Sequence, residues 1–224
     1  PALGGLIAFG QSFEQLFLVV AVLLAISPIP LFFSGEIRSD APETSIKKIL
    51  KADTGKNALI YGSNGFLDVC GGVLWPLFIY FTLKDVLSLG FIVSATSVIM
   101  VAALIYIGRV SDKRSRRIIE LGTFGHSSSW IIRLMPTLLT PLGIFFSNFF
   151  SAVTIEMAYI PFMRKVYVEA KKTANSANYF IFRELHLNWG RILALGLVFL
   201  IGAIQPVFYA AIFASLAFLL TLRK

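Results

Sequence analysis

The 224-residue chain is poor in charge, cysteine and histidine, and each shortage closes off a class of function. Asp, Glu, Lys and Arg together make up 14% of it, well under the roughly 25% of an ordinary soluble domain. A water-soluble fold of this length needs charged faces on nearly every element, and here the charges are confined to a few short stretches. With Cys70 as the single cysteine, an intrachain disulfide is excluded. His126 and His186 stand far apart without ligand-spaced partners, so no metal centre is expected. A glycine-rich loop ending in lysine is missing, which leaves ATP-driven chemistry unsupported. No nucleophile–base pair stands out either, so the chain is not expected to be an enzyme or to need a cofactor.

What fills the sequence is hydrocarbon: 57% of the residues are hydrophobic. The stretches Gln15–Gly35, Val86–Gly108 and Leu134–Ile155 carry no charge at all. Each is long enough to cross a bilayer core of roughly 30 Å as a helix rising about 1.5 Å per residue. Backbone in lipid must satisfy its own hydrogen bonds, which permits helices or a closed barrel. The runs lack the alternation of barrel strands, so an all-α transmembrane fold is predicted. Spans are expected over Phe13–Phe33, Ala58–Leu83, Val86–Gly108, Ile118–Leu138, Pro141–Met163, Tyr179–Ile204 and Pro206–Leu222. Ser27-Pro28-Ile29-Pro30 should kink or end the first, and Gln205-Pro206 marks a turn between the last two.

The net charge of +8 does not point to nucleic acid, because the basic residues fall at membrane edges. Most of the 20 lysines and arginines lie in Ser34–Asn57, Arg109–Arg117, Arg164–Ser176 and the C-terminus. The positive-inside rule then sets those segments and Lys224 in the cytoplasm, in a plasma membrane or a bacterial inner membrane. Lys84 and Arg133 are left for the opposite side. Within Ser34–Asn57, Ile46, Ile49 and Leu50 have helical spacing, which fits an amphipathic helix at the interface or a linker helix packed on protein.

The connection after Val86–Gly108 reads Gly108-Arg109-Val110-Ser111-Asp112-Lys113-Arg114-Ser115-Arg116-Arg117. It resembles the cytoplasmic loop signature of the major facilitator superfamily, in which glycine, aspartate and paired basic residues join the second and third helices of each six-helix half. Arg114 stands where an aromatic is usual, and Ser115 where a glycine is usual. Read without the family, Gly108 would let two helices approach closely and Asp112 would accept hydrogen bonds across an interface, while Lys113, Arg116 and Arg117 meet anionic headgroups. Pro1-Ala2-Leu3-Gly4-Gly5 is similar to the end of the Gly-Pro-x-x-Gly-Gly element of members that export by antiport. The resemblance implies residues 1–33 as the end of a fifth helix and a sixth helix. It implies 34–57 as the central cytoplasmic loop and 58–224 as a C-terminal six-helix bundle, making the chain a fragment whose N-terminal bundle is missing.

Ionisable groups inside hydrocarbon cost about 2.5–3.5 kcal/mol near the centre and are candidates for function. Asp68 lies near mid-depth of its span, with Asn64 one turn away and Tyr61 continuing the stripe. Glu156 lies deep in Pro141–Met163, with Asn148 two turns earlier. Glu184, Asn188 and Arg191 share one helix face, for a cytoplasmic gate or an anionic substrate group; snorkelling of arginine at a helix start is the plainer alternative. His126, beside Ser127-Ser128-Ser129, is expected to make an interhelical hydrogen bond. These residues suggest a secondary transporter of a small solute, with proton-coupled efflux favoured and solute, protons and lipid as partners. The alternative is a non-transporting or lipid-moving protein of the same fold, a receptor or an assembly partner.

Overall fold

A computed structural model describes residues 2–10, 12–33, 55–172 and 176–222. Among them every regular element is helical: α1 (Ala2–Gly10), α2 (Phe13–Ile26), the one-turn α3 (Ile29–Phe32), α4 (Gly55–Leu83), α5 (Val86–Arg133), α6 (Pro141–Lys172), α7 (Ser176–Ile201) and α8 (Gln205–Leu216), which runs on into 3-10 turns over Ala217–Leu222. The stretch 34–54, with Ile46, Ile49 and Leu50, lies outside the described residues, as do 173–175 and the C-terminal pair.

Five of the expected spans are long and apolar enough to cross a membrane: Gly55–Leu83, Val86–Asp112, Pro141–Lys172, Ser176–Ile201 and Gln205–Leu222. The chain is therefore a multi-pass membrane protein. The expected spans over Phe13–Phe33 and Ile118–Leu138 do not meet the same measure. The first is cut at Ile26 by the Ser27-Pro28 turn, leaving 14 residues of α2, none of them buried. Ser12 caps that helix by accepting from the Gln15 amide. The second is α-helical only to Arg133, in a limb after Arg114 that carries Arg116, Arg117, Glu120 and Arg133, too many charges for a lipid-facing rod.

That charged segment is the second limb of α5. The helix breaks at Arg114, whose φ of −138° and ψ of 44° lie outside the helical region. Asn148 of α6 touches both limbs: its amide donates to Thr96 Oγ1, and its carbonyl accepts from Arg133 Nη2, each at 3.2 Å. A continuous helix would hold residues 96 and 133 about 55 Å apart. The chain must double back at Arg114, in the middle of the expected basic connection. Arg164 of α6 donates to Asp112 Oδ1 at 2.8 Å beside the bend. Among the described residues nothing approaches the Cβ position of Gly108 within 4 Å, so the expected close helix approach is not found there.

Close packing occurs elsewhere. A Cβ on Gly190 of α7 would stand 1.8 Å from the Gly62 carbonyl oxygen, and one on Gly65 of α4 would stand 1.9 Å from that of Leu187. Only glycine lets α4 and α7 cross backbone on backbone, as small residues do in membrane bundles. Gly122 meets Ala158 and Met157 of α6 in the same manner. Short turns join the rods: Lys84 adopts φ 52° and Gly202 φ 71°, and Asp85 accepts from the Leu87 amide to cap α5. Towards that end of the bundle Trp75, Phe78, Trp130 and Phe208 stack as an aromatic core.

Inside α4 the hydrogen-bond register widens to a π-turn over Cys70–Leu74, closed by the Trp75 amide on the Cys70 carbonyl. The cause is Pro76, which has no amide and whose ring would strike the carbonyl four residues back, at Gly72. One extra residue absorbs that conflict, and such bulges recur at functional sites. Asp68 lies two residues ahead of Cys70, where the turn begins.

Candidate functional site

A cavity of about 490 Å³ opens between α4, the second limb of α5, and α6. Asn64 and Asp68 line it from α4, His126 and Arg133 from α5, and Asn148, Ser151, Glu156 and Tyr159 from α6. Gly71 and Gly72 of the π-turn form part of the same wall, so the bulge that accommodates Pro76 also opens space beside Asp68.

Most of the polar groups are held in place by specific partners. Arg191 Nη2 donates to Asp68 Oδ2 at 3.0 Å, and Arg191 Nη1 to Asn188 Oδ1 at 3.1 Å. Asn188 in turn donates to the Glu184 carbonyl one turn back, and Glu184 is paired with Arg183. The α7 stripe therefore ends on Asp68, although Glu184 and Asn188 themselves line only a shallow depression outside the cleft. Arg183 reaches Tyr159 Oη at 3.4 Å. Glu156 lines the cleft with no hydrogen bond or ion pair among the described residues.

His126 is buried and bridges helices. Trp130 Nε1 donates to its Nε2 at 3.2 Å, which assigns that nitrogen as acceptor and leaves Nδ1 facing Ser151 Oγ at 3.3 Å on α6. Tyr61 does not reach the cleft. It is 1% exposed, its hydroxyl lies 2.7 Å from that of Tyr179, and its ring packs against Phe162 and Phe182. The loop residues Gly108, Asp112, Arg116 and Arg117 lie at the bend of α5, away from the cavity, with Arg116 paired to Glu120 at 3.1 Å. Of Lys113 only the backbone is described.

The residue that sequence reasoning misplaced is Arg133. Assigned to the far membrane edge, it is in fact 5% exposed, with its guanidinium carbon 4.5 Å from the centre of the Trp75 ring and 4.6 Å from that of Trp130. A desolvated arginine between two indoles gains about 2 kcal/mol or more from the ring faces. It also occupies the last turn of α5, where the helix dipole favours a cation. The sequence signal was Trp130 three residues earlier, one turn away on the same face.

The chain was compared with protein-family models, with curated proteins and with solved structures. None of the three gives a match.

Proposed function

We propose that the chain is the C-terminal part of a secondary transporter, moving a small solute in exchange for protons, with efflux by antiport as the favoured direction. The observation that carries this reading is the convergence of Asn64, Asp68, Asn148 and Glu156 from separate helices on one polar cleft within an apolar bundle. Carboxylates at membrane depth are costly and mark solute and ion pathways. On this reading Asp68 and Glu156 carry protons, the amides orient solute, and a second helix bundle closes the cleft near the bilayer midplane. The bend at Arg114, with Asp112 held by Arg164, serves as the cytoplasmic coupling loop, in keeping with its likeness to the major facilitator signature. The basic bend faces the cytoplasm and the host membrane is the plasma membrane.

The test is flux. The protein is reconstituted into vesicles carrying an internal pH-sensitive dye, and a panel of solutes is added against an imposed pH gradient. A coupled solute dissipates the gradient, and Asp68→Asn or Glu156→Gln slows it with the protein still inserted. Unchanged coupling in Asp68→Asn removes that residue from the mechanism. Absence of solute-dependent proton movement across the panel overturns the reading.

A further inference from the structure

We infer that the cleft takes a singly charged carboxylate, its anionic group docked on Arg133. This deepens the transport reading by naming the solute class; it rests on that reading for the solute's passage, not for its binding.

The argument starts from donors without acceptors. Arg133 is 5% exposed and spends one hydrogen bond, through Nη2, on a neutral amide oxygen of Asn148. Its Nε is buried with no acceptor, and so is the indole Nε1 of Trp75, whose ring carries the guanidinium 4.5 Å from its centre. No carboxylate among the described residues forms an ion pair with Arg133. A guanidinium keeps its proton at neutral pH, so a full positive charge stands in the wall of a polar cavity without a counter-ion. Such groups are ordinarily paired, because an uncompensated charge away from water is strongly destabilising.

Neither acid of the cleft pairs with Arg133 among the described residues. Asp68 is engaged by Arg191 at 3.0 Å. Glu156 is eight residues beyond Asn148 on α6, about 12 Å along the axis, and lines the cleft without touching Arg133. The missing partner is supplied from outside the chain. Its charge is limited: a single guanidinium faces it, and Glu156 and Asp68 stand in the same cleft to repel a second negative charge. Arg133 lines the cavity, and a guanidinium is the group that a planar carboxylate meets with paired hydrogen bonds. Ser151 and Asn148 add polar contacts beside it, and Leu67, Ala152 and Ile155 in the same lining suit an apolar or aromatic body attached to the carboxylate.

Two of the chain's three tryptophans, Trp75 and Trp130, flank Arg133 and report on the site. The purified protein in detergent is titrated with a series of carboxylates from acetate to benzoate, with benzamide and benzylammonium as neutral and cationic counterparts and inorganic phosphate as the multiply charged one. The expected result is a saturable change in tryptophan emission with benzoate that benzamide, benzylammonium and phosphate do not reproduce. In Arg133→Gln the benzoate affinity falls on the order of tenfold or more, and Arg133→Lys recovers part of it. Equal response to benzamide, preference for phosphate, no response across the carboxylates, or unchanged benzoate affinity in Arg133→Gln each overturn the inference. The isostere comparison uses the unaltered protein, so it stands even where Arg133→Gln does not fold. Flux measured on the same preparations separates the two readings: carboxylate binding without flux removes the transporter and keeps the site, whereas flux of a neutral solute without carboxylate binding does the reverse.

Discussion

Arg191 on α7 donates to the Asp68 carboxylate on α4 at 3.0 Å, so the polar stripe of one helix ends on the mid-span acid of another. Both side chains remain partly open, at 40% and 44% exposure. An ion pair in contact with water contributes about 0–1 kcal/mol, so its purpose is not to hold the helices together. We expect Asp68→Asn and Arg191→Gln each to shift the melting temperature by no more than about 4 °C. Each lowers proton-coupled flux, and the double variant is no worse than the more damaged single one, as for two residues acting as a unit. Thermal unfolding in detergent and vesicle flux read the two halves of this prediction. Additive flux losses would separate the residues.

What does hold α4 to α7 is the absence of side chains. At Gly190 an added Cβ would lie 1.8 Å from a backbone oxygen, and backbone cannot swing aside as a flexible side chain can. Gly190→Ala should force the helices apart and cost roughly 1–3 kcal/mol, the range for overpacking a tight contact. Gly196 on the same helix has no described residue within 4 Å of its Cβ position, so Gly196→Ala should be neutral or slightly stabilising. A melting comparison of the two variants decides the matter, with equal behaviour counting against the crossing.

How much of this could be read beforehand follows from what a linear pattern contains. Hydrophobic run length located the membrane-crossing helices because bilayer thickness fixes it, and it also located Asn64, Asp68, Asn148 and Glu156, polar residues within those runs that line one cleft. Run length cannot say which rods are neighbours, so Tyr61, on the same stripe as Asp68, was expected at the cleft although its hydroxyl faces Tyr179. Arg133 was misassigned because an arginine near a span end ordinarily snorkels to water. Only the fold-back at Arg114, which brings residue 133 level with Thr96 against Asn148, places it inside. The π-turn was written in Gly71, Gly72 and Pro76, but a proline within a span fits a kink as well as a bulge.

The turn between α4 and α5 carries a pH dependence of its own. Asp85 caps α5, and its hydrogen bond from Ser88, with that from the Leu87 amide, holds the carboxyl below the usual carboxylate range despite a smaller opposing effect of desolvation. A lowered value means the ionised form is favoured in the folded state. The contribution is thus complete above about pH 4, the ordinary aspartate value, and is lost as pH falls through the lower folded value. Asp85→Ala should remove that acid-side slope and destabilise at neutral pH, whereas Asp85→Asn, which still caps, should remove the slope with a smaller loss. Melting temperatures measured from about pH 3 to about pH 7, spanning that ordinary value, separate these outcomes; an unchanged acid slope in Asp85→Ala would assign it to other carboxylates.

The fold-back at Arg114 also makes a prediction about sidedness. Residues 115 and 137 stand at opposite ends of the second α5 limb and the turn beyond it, about 33 Å apart along a helical rise, close to the roughly 30 Å of a bilayer core. The only native thiol, Cys70, is 0% exposed and stays silent to external reagents. Ser115→Cys and Thr137→Cys can therefore be labelled in the otherwise unaltered sequence. If the basic bend faces the cytoplasm, Ser115→Cys in intact cells resists a membrane-impermeant maleimide until the cells are permeabilised, and Thr137→Cys reacts at once. The opposite pattern inverts the assigned topology. Reaction of both from one side would mean that this limb does not cross the bilayer, and the charges that set Ile118–Leu138 apart from the other spans would then be its reason.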